Sequence, residues 1–311
     1  MNKSNTGRFA PSPSGYMHMG NLLSMLLAWL DARKQGGPIV FRMEDLDPAR
    51  SSNEYAAAIA ADLRTLGLDW DSGWPEKEYC QSARTALYED AFDCLRRQGL
   101  LYPCWCSRAE RLAASAPHPG EQHRDPGCRC AHLTQGERLA LEASGRRPAW
   151  KIRVPDRDVT VNDAHYGTLT QNLARDCGDF IVRRADGVFA YQFAVSFDDA
   201  AMDIGRVVRG RDLLDSAPRQ AWLIALFGGS APVYAHGPLL VADGRKMSKR
   251  LGDLSTQALL QRHTPQALVG MLAHAVGLID RPEPVAAHEL VADFDWAKVS
   301  REDVPMPPAL L

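Results

Sequence analysis

Two short stretches far apart in the chain carry residue types that suit a phosphate. The first is His18-Met19-Gly20-Asn21, where a short β-compatible start, Arg8-Phe9-Ala10-Pro11, gives way through small rigid residues to the dense apolar run from Leu22 to Leu30. The pattern predicts strand, turn and helix, with Asn21 or Gly20 as the cap. A glycine at such a turn lets a flat ligand approach the backbone, and the helix N-terminus offers N–H groups and partial positive charge to an anion. His18 would add a side-chain donor. The second stretch is Lys246-Met247-Ser248-Lys249-Arg250, just after the apolar Pro238-Leu239-Leu240-Val241. A solvated basic loop is the ordinary fate of such a run, but two lysines flanking a serine also suit the outer phosphates of a nucleotide.

A different chemistry belongs to Cys104-Trp105-Cys106 and Cys128-Arg129-Cys130, two C-x-C pairs separated by a segment rich in Ala, Pro, His and Gly. Four soft thiolates in a small compass match the tetrahedral preference of zinc, and His123 or His132 could replace one of them. With no open coordination position, the site would be structural, with one zinc per chain. Seven cysteines without a secretory signal fit a reducing compartment, so a cytoplasmic location is expected.

The elements that position these residues read as an α/β chain. Its 311 residues allow one or two domains, 45% hydrophobic content is ordinary, and a net charge of -2 does not announce a nucleic-acid binder. The longest apolar run is too short to span a bilayer, so no membrane partner is expected. Pro38-Ile39-Val40-Phe41-Arg42-Met43 predicts a buried strand parallel to the first, placing Glu44 at the same carboxyl-end crevice as His18. Helices are predicted over 51–67 and 82–99, each with a serine start and a glycine stop. The stretch 150–171 reads as an inserted β-rich layer. Residues 178–187 predict a strand with an Asp-Gly turn, returning as a second strand through Phe189 to Val195. Two short helices, over 255–262 and 265–278, precede an irregular tail.

Found together and in this order, the two basic and histidine-containing stretches resemble the HIGH and KMSKS signatures of class I aminoacyl-tRNA synthetases. His18 and Gly20 match the first, which departs at Met19 and Asn21; Lys246 to Lys249 match the second, with Arg250 in place of its last serine. Arg42-Met43-Glu44-Asp45-Leu46-Asp47-Pro48-Ala49-Arg50-Ser51 is similar to the R-x-E-D-T-D-x-x-R-S segment of the glutamyl branch, with Leu46 at the threonine position. Gly67-Leu68-Asp69-Trp70-Asp71 and the run from Gly178 to Leu214 resemble that branch too.

The resemblance implies a Rossmann-like parallel sheet. Its catalytic halves are expected over 1–102 and 178–254, around a zinc-binding and β-rich region over 103–177, with a short helical segment over 255–311. It implies ATP as substrate, with Mg2+, bound by His18, Gly20, Asn21, Lys246, Met247, Ser248 and Lys249, of which His18, Gly20, Lys246 and Lys249 are catalytic. Glutamate would lie across Arg8, Phe9, Ala10, Pro11, Ser12, Glu44, Tyr191 and Arg209. Two arginines around one acid suit two carboxylates and one ammonium. Many glutamyl-type enzymes carry a C-x-C pair and later ligands in the region of Cys104, and the short paralogues typically use a tyrosine and a cysteine there. No tyrosine lies between Cys106 and Cys130.

After Lys249 no further domain fits, so the anticodon-binding region of ordinary glutamyl-tRNA synthetases is expected to be absent. The chain therefore resembles most the short paralogues that activate glutamate without tRNA and attach it to queuosine at the wobble position of tRNA(Asp). A monomer docking on the anticodon arm is expected. A short enzyme charging a tRNA 3′ end with glutamate or glutamine, or a synthetase-like binding protein without catalysis, are the rival readings.

Overall fold

The computed structural model describes residues 4–106, 128–242, 245–246 and 255–310. Strand β1 (Gly7–Phe9) leads into helix α1 (Met19–Lys34) and back into β2 (Ile39–Phe41), which pairs parallel with β1. β3 (Ser72–Gly73) adds a third parallel strand on the far side of β2, after helix α2 (Asn53–Thr65). Leu22, Leu23, Leu26, Leu27 and Leu30 are all buried, so α1 is enclosed on most sides rather than amphipathic. It ends after Arg33 and Lys34, basic residues that suit a helix C-terminus, with Gly36 at φ +64. Ser52 caps α2 by accepting from the Glu54 N–H, and Gly67 at φ +75 closes it, matching the predicted serine start and glycine stop. Helix α3 (Thr85–Arg97) likewise ends before Gly99, but its start is displaced. Ser82 is tied to the Asp45 carboxylate through both N–H and hydroxyl, and a 3-10 turn over Gln81–Arg84 precedes the helix.

Strand β4 (Leu101–Cys104) starts an antiparallel sheet completed by β5 (Ala149–Ile152) and β8 (Phe180–Arg183), with helix α4 (Gln135–Ala143) between β4 and β5 in the chain. Strands β6 (Asp158–Asp163) and β7 (Gly167–Asn172) form a hairpin. The predicted β-rich layer is therefore not one layer. β5 belongs to the antiparallel sheet, whereas β6 pairs parallel with β10 (Val233–Gly237), which pairs parallel with β9 (Arg206–Gly210). The N–H groups of Gly205 and Arg206 both donate to the Thr6 carbonyl, which lays the start of β9 against β1. From that junction the chain steps outward through β2 and β3 on one side and through β10 on the other. This is a topological switch point, where the carboxyl ends of parallel strands leave a crevice.

One further expectation changes, and another is refined. Phe189 to Val195 does not return as a strand. Phe189 makes a single bridge to Arg183, and helix α5 (Tyr191–Ala201) follows, burying Phe193, Ala194, Asp198 and Asp199. The alternation of aromatic residues at 189, 191 and 193 imitates a strand, but burial runs unbroken from Phe193 to Ser196, without the alternation of a half-buried strand. The C-terminal stretch is irregular, as expected, but it packs firmly and includes one short strand. After α6 (Ala217–Leu226), β11 (Leu240–Ala242), β12 (Arg245–Lys246), α7 (Thr256–Leu260) and α8 (Pro265–Ala275), strand β13 (Val304–Pro305) pairs with β11. Phe294, Trp296, Val299, Met306 and Leu310 join the core around α1. Asp31 of α1 is the anchor, accepting from Trp296 Nε1 at 2.8 Å and from Arg206 through two nitrogens.

Candidate functional site

The crevice at the switch point is a cavity of about 400 Å³. The segment after β1 supplies Ala10, Pro11 and Ser12, the start of α1 supplies His18, Gly20 and Asn21, and β9 supplies Arg209. A smaller cavity of about 90 Å³ shares Glu44, Tyr191 and Arg209 with it and adds Arg8. The structure thus brings together nearly all the predicted pocket residues that it describes. Phe9 is the exception. Its ring is fully buried in the core against Phe41, 6.1 Å between centroids, and it lines neither cavity. A three-residue strand buried throughout gives no alternation from which to read a face. Lys246 enters only through its backbone, paired with Val241 in β12, while Met247, Ser248, Lys249 and Arg250 lie outside the described residues. The flanks of that stretch are informative. Leu239 and Leu240 line the large cavity, and Ser255 bridges to His18, with Thr256 N–H donating to the Met17 carbonyl. The described chain before and after the basic stretch therefore meets the crevice.

His18, not Gly20 or Asn21, is the cap of α1. Its Nδ1 accepts from the N–H of Gly20 at 3.1 Å and of Asn21 at 3.4 Å. With Nδ1 accepting, the ring proton of the neutral form sits on Nε2, which is then the donor. The expected open N–H groups of the helix start are thus partly taken by the histidine's own ring. A β-carbon on Gly20 would stand 3.1 Å from His18 Cε1, so the glycine makes room for the imidazole as well as for a ligand.

Behind the small cavity lies an ion network that pattern reading missed. Arg42 and Glu44 follow β2 in extended backbone, so their side chains share a face. Arg42 is wholly buried, donates from Nη2 to Glu44 Oε1 at 3.1 Å and pairs with Asp199 at 2.8 Å and Asp198 at 3.7 Å. Arg8 donates to Asp199 at 3.1 Å and Arg84 to Asp198 at 2.7 Å, with Gln81 and Tyr88 completing Asp198. Three guanidiniums meet three carboxylates, and the network is balanced. Burial works to raise the Asp199 carboxyl, but the charges of Arg8 and Arg42 prevail and hold it below its ordinary range. For Glu44, burial prevails over the pull of Arg42 and Arg8, and its carboxyl is raised.

Arg209 stands apart. It is buried, and its three hydrogen-bond acceptors are neutral: His236 Nε2 at 3.0 Å, Gln220 Oε1 at 2.6 Å and the Leu213 carbonyl at 3.2 Å. Its charge thus faces the cavity without a carboxylate against it among the described residues. Tyr191, in the first turn of α5, is 37% exposed and lines both cavities.

The four cysteines of the two C-x-C pairs converge, with all ligand atoms within 4.8 Å of one another. Cys104 and Cys128 sulfurs are 3.4 Å apart, Cys106 and Cys128 3.7 Å, and Cys106 and Cys130 3.6 Å. Sulfurs bound to zinc at about 2.3 Å and tetrahedral angles lie about 3.8 Å apart, so the donor set fits. Burial and crowding among the thiols raise Cys104 to about 11 and push Cys106 up as well, a cost that a bound cation reverses. His132 is not in the cluster, and His123 lies outside the described residues.

Comparison with known proteins agrees with this geometry. The family described as tRNA synthetases class I (E and Q), catalytic domain, matches residues 5–301. The chain is 47% identical over 311 residues to the glutamyl-Q tRNA(Asp) synthetase of Symbiobacterium thermophilum, covering 97% of this chain and 95% of that one. It is 43% identical over 312 residues to the protein of the same name from Nitratidesulfovibrio vulgaris, covering 98% and 96%. Among solved structures, a glutamate tRNA ligase from Elizabethkingia meningosepticum in complex with its amino acid superposes with a TM-score of 0.79. That alignment covers 98% of this chain and 67% of the other at 24% identity, a likeness of fold.

Proposed function

The chain belongs to the class I tRNA synthetases for glutamate and glutamine, and from that premise we propose that it activates L-glutamate with ATP, without tRNA, and transfers it to queuosine at the wobble position of tRNA(Asp). The observation that carries the choice of amino acid is charge. The buried network around Arg42 balances itself, and Arg209 remains as one cation held by neutral partners beside the small cavity. Such a pocket favours a ligand of net charge minus one, which glutamate is and glutamine is not. Glu44, backed by Arg42, takes the ammonium group, and Arg209 takes a carboxylate, with Tyr191 closing the pocket.

ATP occupies the large cavity. The glutamate carboxylate attacks the α-phosphate, and pyrophosphate leaves. His18 Nε2–H stabilises the phosphate oxygens as charge develops, and Gly20 allows the close approach of the nucleotide. Lys246 and Lys249 neutralise the β- and γ-phosphates, where a magnesium ion bound to ATP would add further positive charge. A queuosine hydroxyl then attacks the acyl carbon of the adenylate, releasing AMP. Cys104, Cys106, Cys128 and Cys130 hold one zinc ion that fixes the end of β4 to the returning chain and takes no part in the reaction. No described helix is long and apolar enough to cross a membrane, and a monomer working in the cytoplasm is the form we propose.

Glutamate-dependent exchange of labelled pyrophosphate into ATP, run without tRNA, tests the activation step. Glutamate should support exchange and glutamine should not, and His18→Ala should lose about 2–4 kcal/mol of barrier lowering, the range for a lost transition-state donor. Exchange that prefers glutamine, or that ignores His18, contradicts the reading.

A further inference from the structure

Arg209 is held by a chain of groups that begins outside the pocket. Asp163, at the end of β6, accepts from the N–H of His165 at 2.9 Å and of Tyr166 at 2.8 Å through Oδ1, which fixes its carboxylate in the β6–β7 turn. Its Oδ2 lies 2.5 Å from His236 Nδ1. The N–H on Nδ1 therefore points at Asp163, and the Nε2 lone pair is left to accept from Arg209 Nε at 3.0 Å. His236 is fully buried on β10, and Asp163 is 4% exposed. Burial, assisted by the neighbouring guanidinium, keeps the imidazole below its ordinary range and hence neutral, although Asp163 pulls the other way. Gln220 is oriented in the same manner, its amide nitrogen donating to Gln192 at 2.7 Å while its oxygen accepts from Arg209.

The contrast with Arg8 shows what this arrangement does. Arg8 is held directly by a carboxylate, Asp199, so much of its field at the cavity is cancelled. At Arg209 an imidazole stands between the guanidinium and the nearest carboxylate on that side. The ring passes on the direction of a hydrogen bond without placing a full negative charge against the arginine.

We propose that Asp163 and His236 are positioning residues for the substrate carboxylate: Asp163 fixes the ring of His236, and His236 aims Arg209 into the small cavity with no carboxylate hydrogen-bonded to it. The proposal rests on the glutamate activation proposed above and adds a specificity device seated in the β6–β7 hairpin. Neither residue lines either cavity, and Arg209, through which they act, borders the small one, so the effect belongs in glutamate binding and not in ATP binding.

The test is pyrophosphate exchange titrated separately in glutamate and in ATP. His236→Leu and His236→Ala both remove the acceptor but differ in the space they leave, so one folded variant suffices. Each should raise the glutamate KM roughly tenfold, equivalent to about 1.4 kcal/mol, and leave the ATP KM within about twofold. His236→Gln, whose amide oxygen can accept from Arg209 Nε, should recover most of the loss. Arg209→Lys has no equivalent of Nε, so removing His236 in that background should add less than about twofold, the non-additivity expected of a coupled pair. An unchanged glutamate KM in a folded variant, equal rises in both KM values, or full additivity with Arg209→Lys would each overturn the relay while leaving glutamate activation standing. A wild-type chain without glutamate-dependent exchange would overturn both.

Discussion

Asp62 makes a prediction whose size follows from its surroundings. It sits in the last turn of α2, 3% exposed, and its Oδ2 is buried without a hydrogen-bond partner among the described residues. Burial alone pushes its carboxyl from 3.8 up to about 7. The sign follows from linkage. Below about pH 3 the group is protonated in both states and costs nothing; as pH rises toward 7 the unfolded chain ionises first, and stability falls; above that the whole penalty is present. At 1.36 kcal/mol per pH unit the span from 3.8 to about 7 corresponds to at most about 4 kcal/mol, and residual access of water reduces this to about 2 kcal/mol. Asp62→Asn removes the charge at nearly constant volume, and Asp62→Leu removes it with a larger apolar side chain. Urea unfolding should find the advantage of each variant over the parent larger at about pH 8 than at about pH 5.5 by about 1 kcal/mol, since roughly half of the penalty is already present at the lower pH. The change with pH is the diagnostic quantity, because packing differences between the side chains do not titrate. A difference that is the same at both pH values would refute the reasoning and imply a partner or a water at Oδ2.

Glu44 predicts a pH effect on catalysis. Because burial raises its carboxyl, kcat/KM for glutamate should fall on acidification at a pH above the ordinary carboxylate range, while Glu44→Gln should be nearly inactive with no residual titration in that window; a profile flat to pH 4 or so would remove Glu44 from ammonium binding. The cysteine cluster predicts one zinc per chain by elemental analysis. Cys128→Ser should lose the metal, and chelation should loosen the β4 end of the antiparallel sheet before the parallel core. Full metal content in Cys128→Ser would require a different ligand set.

What was legible in the sequence was local. The strand, turn and helix around His18, the Glu44 turn after β2, the serine and glycine ends of α2 and the two C-x-C pairs each occupy a short run, where periodicity and spacing speak directly. The ion network was not legible, because its pairs join residues far apart in sequence, Arg8 to Asp199 and Arg84 to Asp198, and nothing local marks them as partners. Asp198-Asp199 in an apolar helix and Arg42 two residues before Glu44 were the available signals. His236 was hidden for a similar reason: a single histidine in a buried strand has no pattern, and its meaning comes from Asp163 and Arg209 on neighbouring strands. Tyr191 was placed in the pocket by its resemblance but on the wrong element, since aromatic alternation over five residues cannot distinguish a strand from the first turn of a helix.

The measurement closest to the central claim is where labelled glutamate ends up on RNA. The chain, ATP and labelled glutamate are incubated with tRNA(Asp) from cells that make queuosine and from cells that cannot, and the terminal adenosine is then removed. Label should appear only on the queuosine-containing tRNA and should survive loss of the adenosine. Label that disappears with the adenosine, or that appears on unmodified tRNA(Glu), would contradict the account and identify an enzyme that charges 3′ ends.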